Sequence, residues 1–301
     1  MRILLLGANG QVGHALRRSL APLGEVVATT RSGSLDDGSR CERADFDTPE
    51  MLPALVARIA PDVVVNAAAH TAVDRAEEEP EAAFRVNAEA PHALARACAA
   101  RDALLVHYST DYVFDGTGTR PYREDDPTAP LGVYGASKLA GEQAIAASGA
   151  RHVILRTSWV HGLHGRNFLL TMLRLAAERD ELRVVADQVG TPTSARLIAD
   201  VTARILAQSP ASSGMWHLTA TGQASWHGFA EAIVREAHAQ GMLARTPRVV
   251  PIRTSDFPTP ARRPAYSCLD TTRLVADFGV RLPTWQEELS AVLASRERAA
   301  G

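Results

Sequence analysis

The first thirteen residues constrain the fold more than any other stretch. Residues 1–6, apolar but for Arg2, form a run stopped by glycine, which predicts a short buried strand. Gly7-Ala8-Asn9-Gly10-Gln11-Val12-Gly13 follows, after which Val12, Leu16, Leu20 and Leu23 recur at helical spacing. In a strand–turn–helix setting, glycines at 7, 10 and 13 let the backbone approach a pyrophosphate at the helix N-terminus, where free N–H groups and the dipole favour an anion. Segments keep alternating beyond this unit: strand at 25–30, helix at 49–59, strand at 62–69 ending in Ala67-Ala68-Ala69, helix at 80–101 and strand at 103–108. That alternation predicts an α/β fold with a doubly wound parallel sheet of the Rossmann type, which takes its ligand at the carboxyl ends of the strands.

The end of the second strand should flank an adenosine ribose. A site selective for NAD usually offers an acid roughly 20 residues beyond the glycine turn to bind the 2′-hydroxyl. This chain offers Thr29-Thr30-Arg31-Ser32 instead. Arg31 and the hydroxyls suit a 2′-phosphate, so NADPH is the expected cofactor, with NADH second.

Lys138 is the only lysine among 32 Lys+Arg residues. It stands four positions after Tyr134, near the start of an alanine-rich segment predicted to be helical over 134–147. A lysine is a compact point charge where an arginine is a planar fork, so its retention at one place suggests a task arginine cannot do. Helical spacing places the pair on one face. A free tyrosine titrates near ~10, and a unit charge ~4 Å away at an effective dielectric of ~20 is worth about 4 kcal/mol, enough to bring the phenol toward neutrality as an acid–base group. A surface Tyr–Lys pair on a solvated helix satisfies the same spacing. The strand before it runs into Ser109-Thr110-Asp111-Tyr112, with hydroxyls at its predicted carboxyl end.

At 301 residues the chain can bury a large core. A net charge of −2 gives no electrostatic footprint for nucleic acid or an anionic membrane, and no stretch approaches a membrane span. Cys41, Cys98 and Cys268 are scattered and read as reduced thiols, so a soluble cytoplasmic protein is expected. His161 and His164 have metal-pair spacing but no third ligand nearby in sequence, so no metal is expected.

The glycine turn, Asn66-Ala67-Ala68, Ser109-Thr110 and Tyr134-x-x-x-Lys138, in that order, resemble the extended short-chain dehydrogenase/reductase family. The resemblance extends over nearly the whole length through Thr71 to Glu77, Ser109 to Gly116, Pro130 to Gly135, Arg156 to Val160, Asp187 to Thr193 and Arg263-Pro264, and it points to the branch acting on dTDP-sugars. It implies NADPH-dependent reduction of the C4 ketone of dTDP-4-dehydro-L-rhamnose, the last step of dTDP-rhamnose biosynthesis. Tyr134 would donate the proton, Lys138 would lower its pKa and bind the nicotinamide ribose, and Thr110 would hydrogen-bond the reacting oxygen. Gly7, Gly10, Gln11, Val12, Gly13, Arg31, Asp45, Phe46 and Ala67, Ala68 and Ala69 would hold the cofactor. Thr110, Asp111, Tyr112, Trp159, Asn167 and Arg263 would face the dTDP-sugar. Related dehydratases usually follow the threonine with Asp-Glu, because eliminating water needs a carboxylate base; here the third residue is Tyr112. An epimerase or dehydratase with tightly bound NAD, and a non-catalytic regulatory subunit of the same fold, remain as alternatives. Some relatives form dimers bridged by a metal through a glutamate where this chain has Ala15, so a monomer or a homodimer is open.

Past residue 160 the alternation loosens. Helices are expected at 167–179, 194–209, 225–240 and 284–294, strands at 182–185 and 215–218, and a frayed end over 295–301. The expected division is a dinucleotide-binding domain over 1–160 and a mainly substrate-binding region over 161–301, interleaved with the first.

Overall fold

A computed structural model describes residues 1–208 and 213–299. Seven parallel strands form the central sheet: β1 (Arg2–Leu6), β2 (Glu25–Thr30), β3 (Glu42–Arg43), β4 (Val63–Asn66), β5 (Leu104–Thr110), β6 (His152–Thr157) and β7 (Gly214–His217), in the spatial order β7-β6-β5-β4-β1-β2-β3. The order reverses at β1, whose neighbours are β2 and β4. In a doubly wound sheet that reversal opens a crevice at the carboxyl ends, here beside Leu6 and Asn66. The central strands β1 and β4 are apolar along most of their length because both faces are covered, whereas the edge strand β3 is Glu42-Arg43. Ile3 and Leu5 join one core cluster while Leu4 and Leu6 join the other, across the sheet.

The helices that position the crevice are α1 (Gln11–Leu20), α2 (Leu52–Ile59), α3 (Ala90–Ala99), α4 (Val133–Ala147) and α5 (Ala195–Ala207). Gly7 has φ +78°, and a Cβ there would lie 2.8 Å from Ala68 N, so the turn passes close against the end of β4. At Gly13 a Cβ would fall 2.0 Å from the Gly7 carbonyl oxygen, so only glycine lets α1 pack onto the turn.

Several expected elements shift in the structure. The single helix expected over 80–101 is Pro80–Phe84, a π-helical turn over Arg85–Glu89, and α3. The strand expected over 62–69 is β4, which stops at Asn66 and leaves Ala67 to Ala69 as loop. The last helix runs Trp285–Ala299, so the fraying expected from 295 does not begin there; 300–301 lie outside the described residues, as does Ser209 at the end of an expected helix. The helices expected from 167, 194 and 225 are present, and Asn167, Ser194 and Ser225 each accept a hydrogen bond from the N–H three residues on. Short elements at Val73–Glu78, Arg248–Ile252 and Thr272–Phe278 were not expected.

Candidate active site

A cleft of about 740 Å³ lies over the crevice, with Gly7, Gly10, Gln11 and Val12 on one side and Tyr134 and Lys138 on the other. Arg31, Asp45, Phe46, Ala67, Ala68 and Ala69 complete the lining expected from sequence. Gly13 is the exception: it lies beneath the turn, where it permits close packing and does not face the cleft. The α1 N-terminus carries no side-chain cap and no acid in its first turn, so its free N–H groups remain available to an anion. Arg31 is largely exposed at the cleft rim, with Asp47 at 3.9 Å.

Tyr134 is half-buried near the N-terminus of α4. Burial pushes its phenol up to about 12; Thr110 opposes the rise and the Asp111 charge adds to it. Lys138 is buried, and it is not among the charges that move the phenol. The lysine head is directed away from the phenol: Nζ donates to the Tyr108 carbonyl at 2.6 Å and lies 3.3 Å from His107 Nε2. Burial pulls Lys138 down to about 8, with Glu142 opposing.

His107 and Asn66 are two buried groups that sequence reasoning gave no role. Asn66 Nδ2 lies 3.0 Å from His107 Nδ1, while its Oδ1 accepts from Ala68 N at 3.1 Å. Burial, then Lys138, holds His107 well below the ordinary histidine range. The position of His107 inside an apolar strand carries no signal of this contact. The hydroxyls of Ser109 and Thr157 line the cleft, buried and without hydrogen-bond partners.

The expected sugar-facing residues divide. Thr110 donates to Asp111 Oδ1 at 3.0 Å and accepts from Tyr112 N at 3.2 Å. Asp111 is buried, pushed up to about 6 by that burial, and its Oδ2 has no partner. The Tyr112 ring meets Tyr134 edge-on at 5.6 Å. Arg263 is no free cation: its two Nη atoms grip Asp74 at 2.7 and 3.1 Å. Trp159 sits at φ +45° and stacks on Trp226 at 3.5 Å. Strain of that kind is retained where surroundings over-determine the conformation. Asn167 is engaged within the protein. Its Oδ1 caps the helix Phe168–Glu178 and its Nδ2 donates to Gln11 Oε1 at 2.8 Å and Gly162 O at 2.9 Å, which ties it to the glycine turn.

His161 and His164 do not pair. His161 is fully buried against Phe229, whereas His164 lies beside His14 and Asp36. Among the described residues no helix is long and apolar enough to cross a membrane.

The sequence matches the family described as RmlD substrate binding domain over residues 1–298. It is 52% identical over 295 residues to a dTDP-4-dehydrorhamnose reductase of Burkholderia thailandensis, covering 95% of this chain and 96% of that one. Two crystal structures share the fold. A dTDP-4-dehydrorhamnose reductase of Clostridium acetobutylicum superposes with a TM-score of 0.89 at 37% identity, covering 99% of this chain and 100% of the other. One from Bacillus anthracis, in complex with NADP, gives 0.88 at 34%, covering 98% and 99%. With matches of this extent on top of the glycine turn and the Tyr134–Lys138 wall, the chain belongs to the RmlD family, that of the dTDP-4-dehydrorhamnose reductases.

Proposed function

We propose that this chain reduces the C4 ketone of dTDP-4-dehydro-L-rhamnose with NADPH, yielding dTDP-L-rhamnose. The observation that carries the reading is that Tyr134 and Lys138 wall the same cleft as the glycine turn. The residues present fit the cofactor: a side chain at Gly7 would strike the end of β4, and the uncapped α1 N-terminus suits a pyrophosphate. Arg31 at the rim suits a 2′-phosphate. NADPH bound there would supply the hydride. Tyr134, with its phenol at about 12, stays protonated at neutral pH and is poised to give its proton to the oxygen of the ketone as charge develops. Lys138 holds positive charge beneath the same wall, and Ser109 and Thr157 present unpartnered hydroxyls to the cleft. Tyr112 and Trp159 are assigned to the sugar side.

The region 1–160 is read as the dinucleotide-binding part and 161–301 as mainly substrate-binding, the two interleaved. The absence of a membrane-crossing helix among the described residues and the free cysteines suit a cytoplasmic enzyme, monomeric or homodimeric.

The test is NADPH oxidation, followed by absorbance, with dTDP-4-dehydro-L-rhamnose generated in situ and NADH run in parallel. Turnover that requires the sugar and favours NADPH is expected. Tyr134→Phe should lower turnover by at least ~10²-fold while NADPH affinity holds. Purified protein that carries stoichiometric NAD and oxidises no NADPH would point instead to an epimerase or dehydratase.

A further inference from the structure

Three side chains far apart in sequence meet at one edge of the glycine turn. His14 comes from α1, Asp36 from the loop after β2, and His164 from the loop before the helix Phe168–Glu178. Each offers one donor atom, and the three atoms lie within 4.8 Å of one another. Asp36 Oδ2 is 3.2 Å from His164 Nε2 and 4.0 Å from His14 Nδ1. The imidazoles stack with centroids 4.0 Å apart and planes 12° from parallel.

We propose that His14, Asp36 and His164 form a site for a divalent transition-metal ion of the zinc class, distinct from the cleft wall that carries Tyr134. Two imidazoles and a carboxylate are a donor set that suits zinc, nickel or copper. Bonds of about 2.0–2.2 Å place tetrahedral donors roughly 3.4 Å apart. The Asp36–His164 edge already has that length, and the remaining edges need to close by about an ångström. The stacked rings direct their in-plane lone pairs along parallel lines, so at least one imidazole has to turn for both to reach one ion; with side chains 48%, 43% and 30% exposed there is room for that rotation, and water can fill the open positions. His164 Nε2 now lies 2.8 Å from the Asn9 carbonyl, and binding would exchange that hydrogen bond for the metal. Arg17 is itself engaged by Asp37 at 3.2 Å, which reduces its repulsion of an incoming cation. An ion here would pin the loop carrying Arg31, already tied to the turn through Asn9 Nδ2 and the Ser34 carbonyl at 3.0 Å.

The test uses the full-length protein without a histidine tag and without nucleotide. Co²⁺ is titrated and followed by its visible absorption, and Zn²⁺ by calorimetry. One saturable equivalent is expected, weakened at least roughly tenfold in His14→Ala, in His164→Ala and in Asp36→Asn. His92→Ala, on an exposed helical surface, should leave the affinity unchanged. If an alanine variant loses helical signal, His14→Gln and His164→Gln take its place, since both keep the size and polarity. Binding with no saturable equivalent, or with the same affinity in all three site variants, overturns the proposal.

Discussion

Asn66 decides which nitrogen of His107 carries the proton. Ala68 N–H donates to Asn66 Oδ1, so the amide nitrogen faces His107 Nδ1. An amide nitrogen only donates, so Nδ1 must accept and the neutral ring bears its proton on Nε2. That proton points toward Lys138 Nζ at 3.3 Å, where it finds an acceptor only when the lysine is an uncharged amine. The tautomer thus works in the same direction as burial, which already draws Lys138 to about 8. Below that pH the lysine is charged; above it the charge is lost. We expect kcat/KM for NADPH, which reports the free enzyme, to fall as pH rises through about 8. Tyr134 cannot produce that limb, because its phenol releases a proton only near 12. His107→Gln would offer Nζ a carbonyl oxygen and should move the limb upward. A limb at the pH where free lysine titrates, unmoved by His107→Gln, would refute this account. The Tyr134–Lys138 spacing was legible in the sequence. The direction in which the lysine points was not, because it is set by a strand residue 31 positions away.

The π-helical turn over Arg85–Glu89 shows why one expected helix was three segments. Apolar periodicity registers that a segment is helical but not that one turn holds an extra residue. The extra residue turns Asn87 fully inward. Its side chain accepts from His70 N at 2.9 Å and donates to His70 O and to Ser137 Oγ, both at 3.0 Å. Ser137 Oγ in turn donates to the Tyr134 carbonyl at 2.8 Å. Asn87 therefore links the loop of Ala67 to His70, on the cleft, to the helix that bears Tyr134. Asn87→Ala should strip the His70 backbone of both partners and destabilise the protein by about 1–3 kcal/mol in urea denaturation. It should also raise KM for NADPH more than it lowers kcat, since the loop lines the cleft but does not carry the proton. Unchanged stability and KM would mean that water replaces the amide without loss. The helices expected from 167, 194 and 225 were legible because apolar periodicity is a local signal. Arg248–Ile252 was not, because its strand exists only through pairing with Glu181–Val185.

The sheet is finished by a strand from the far half of the chain. β7 pairs with β6 in parallel register, Met215 opposite Ile154 and Trp216 opposite Leu155. Its surroundings come from both halves: His217 N donates to Glu124 at 2.9 Å and Trp216 Nε1 to Asp277 at 2.7 Å. On the same side α5 packs on α1, fastened where Ser19 Oγ donates to Asp200 at 2.6 Å. Ile3, Leu5, Leu16, Leu20 and Val106 share one core cluster with Leu197, Ile198, Trp216 and Phe229. A chain ending at residue 160 would keep the glycine turn and the Tyr134–Lys138 wall yet leave that cluster half open. Each large apolar side chain so exposed costs about 1.5–3 kcal/mol, and several together approach the ~5–15 kcal/mol that holds an ordinary domain folded. We therefore expect the fragment 1–160 to show no cooperative thermal transition and no NADPH binding alone, and to regain both when co-expressed with 161–301. Cooperative unfolding and nucleotide binding by the isolated fragment would establish that the first half closes its own core and that β7 and α5 are additions to a finished domain.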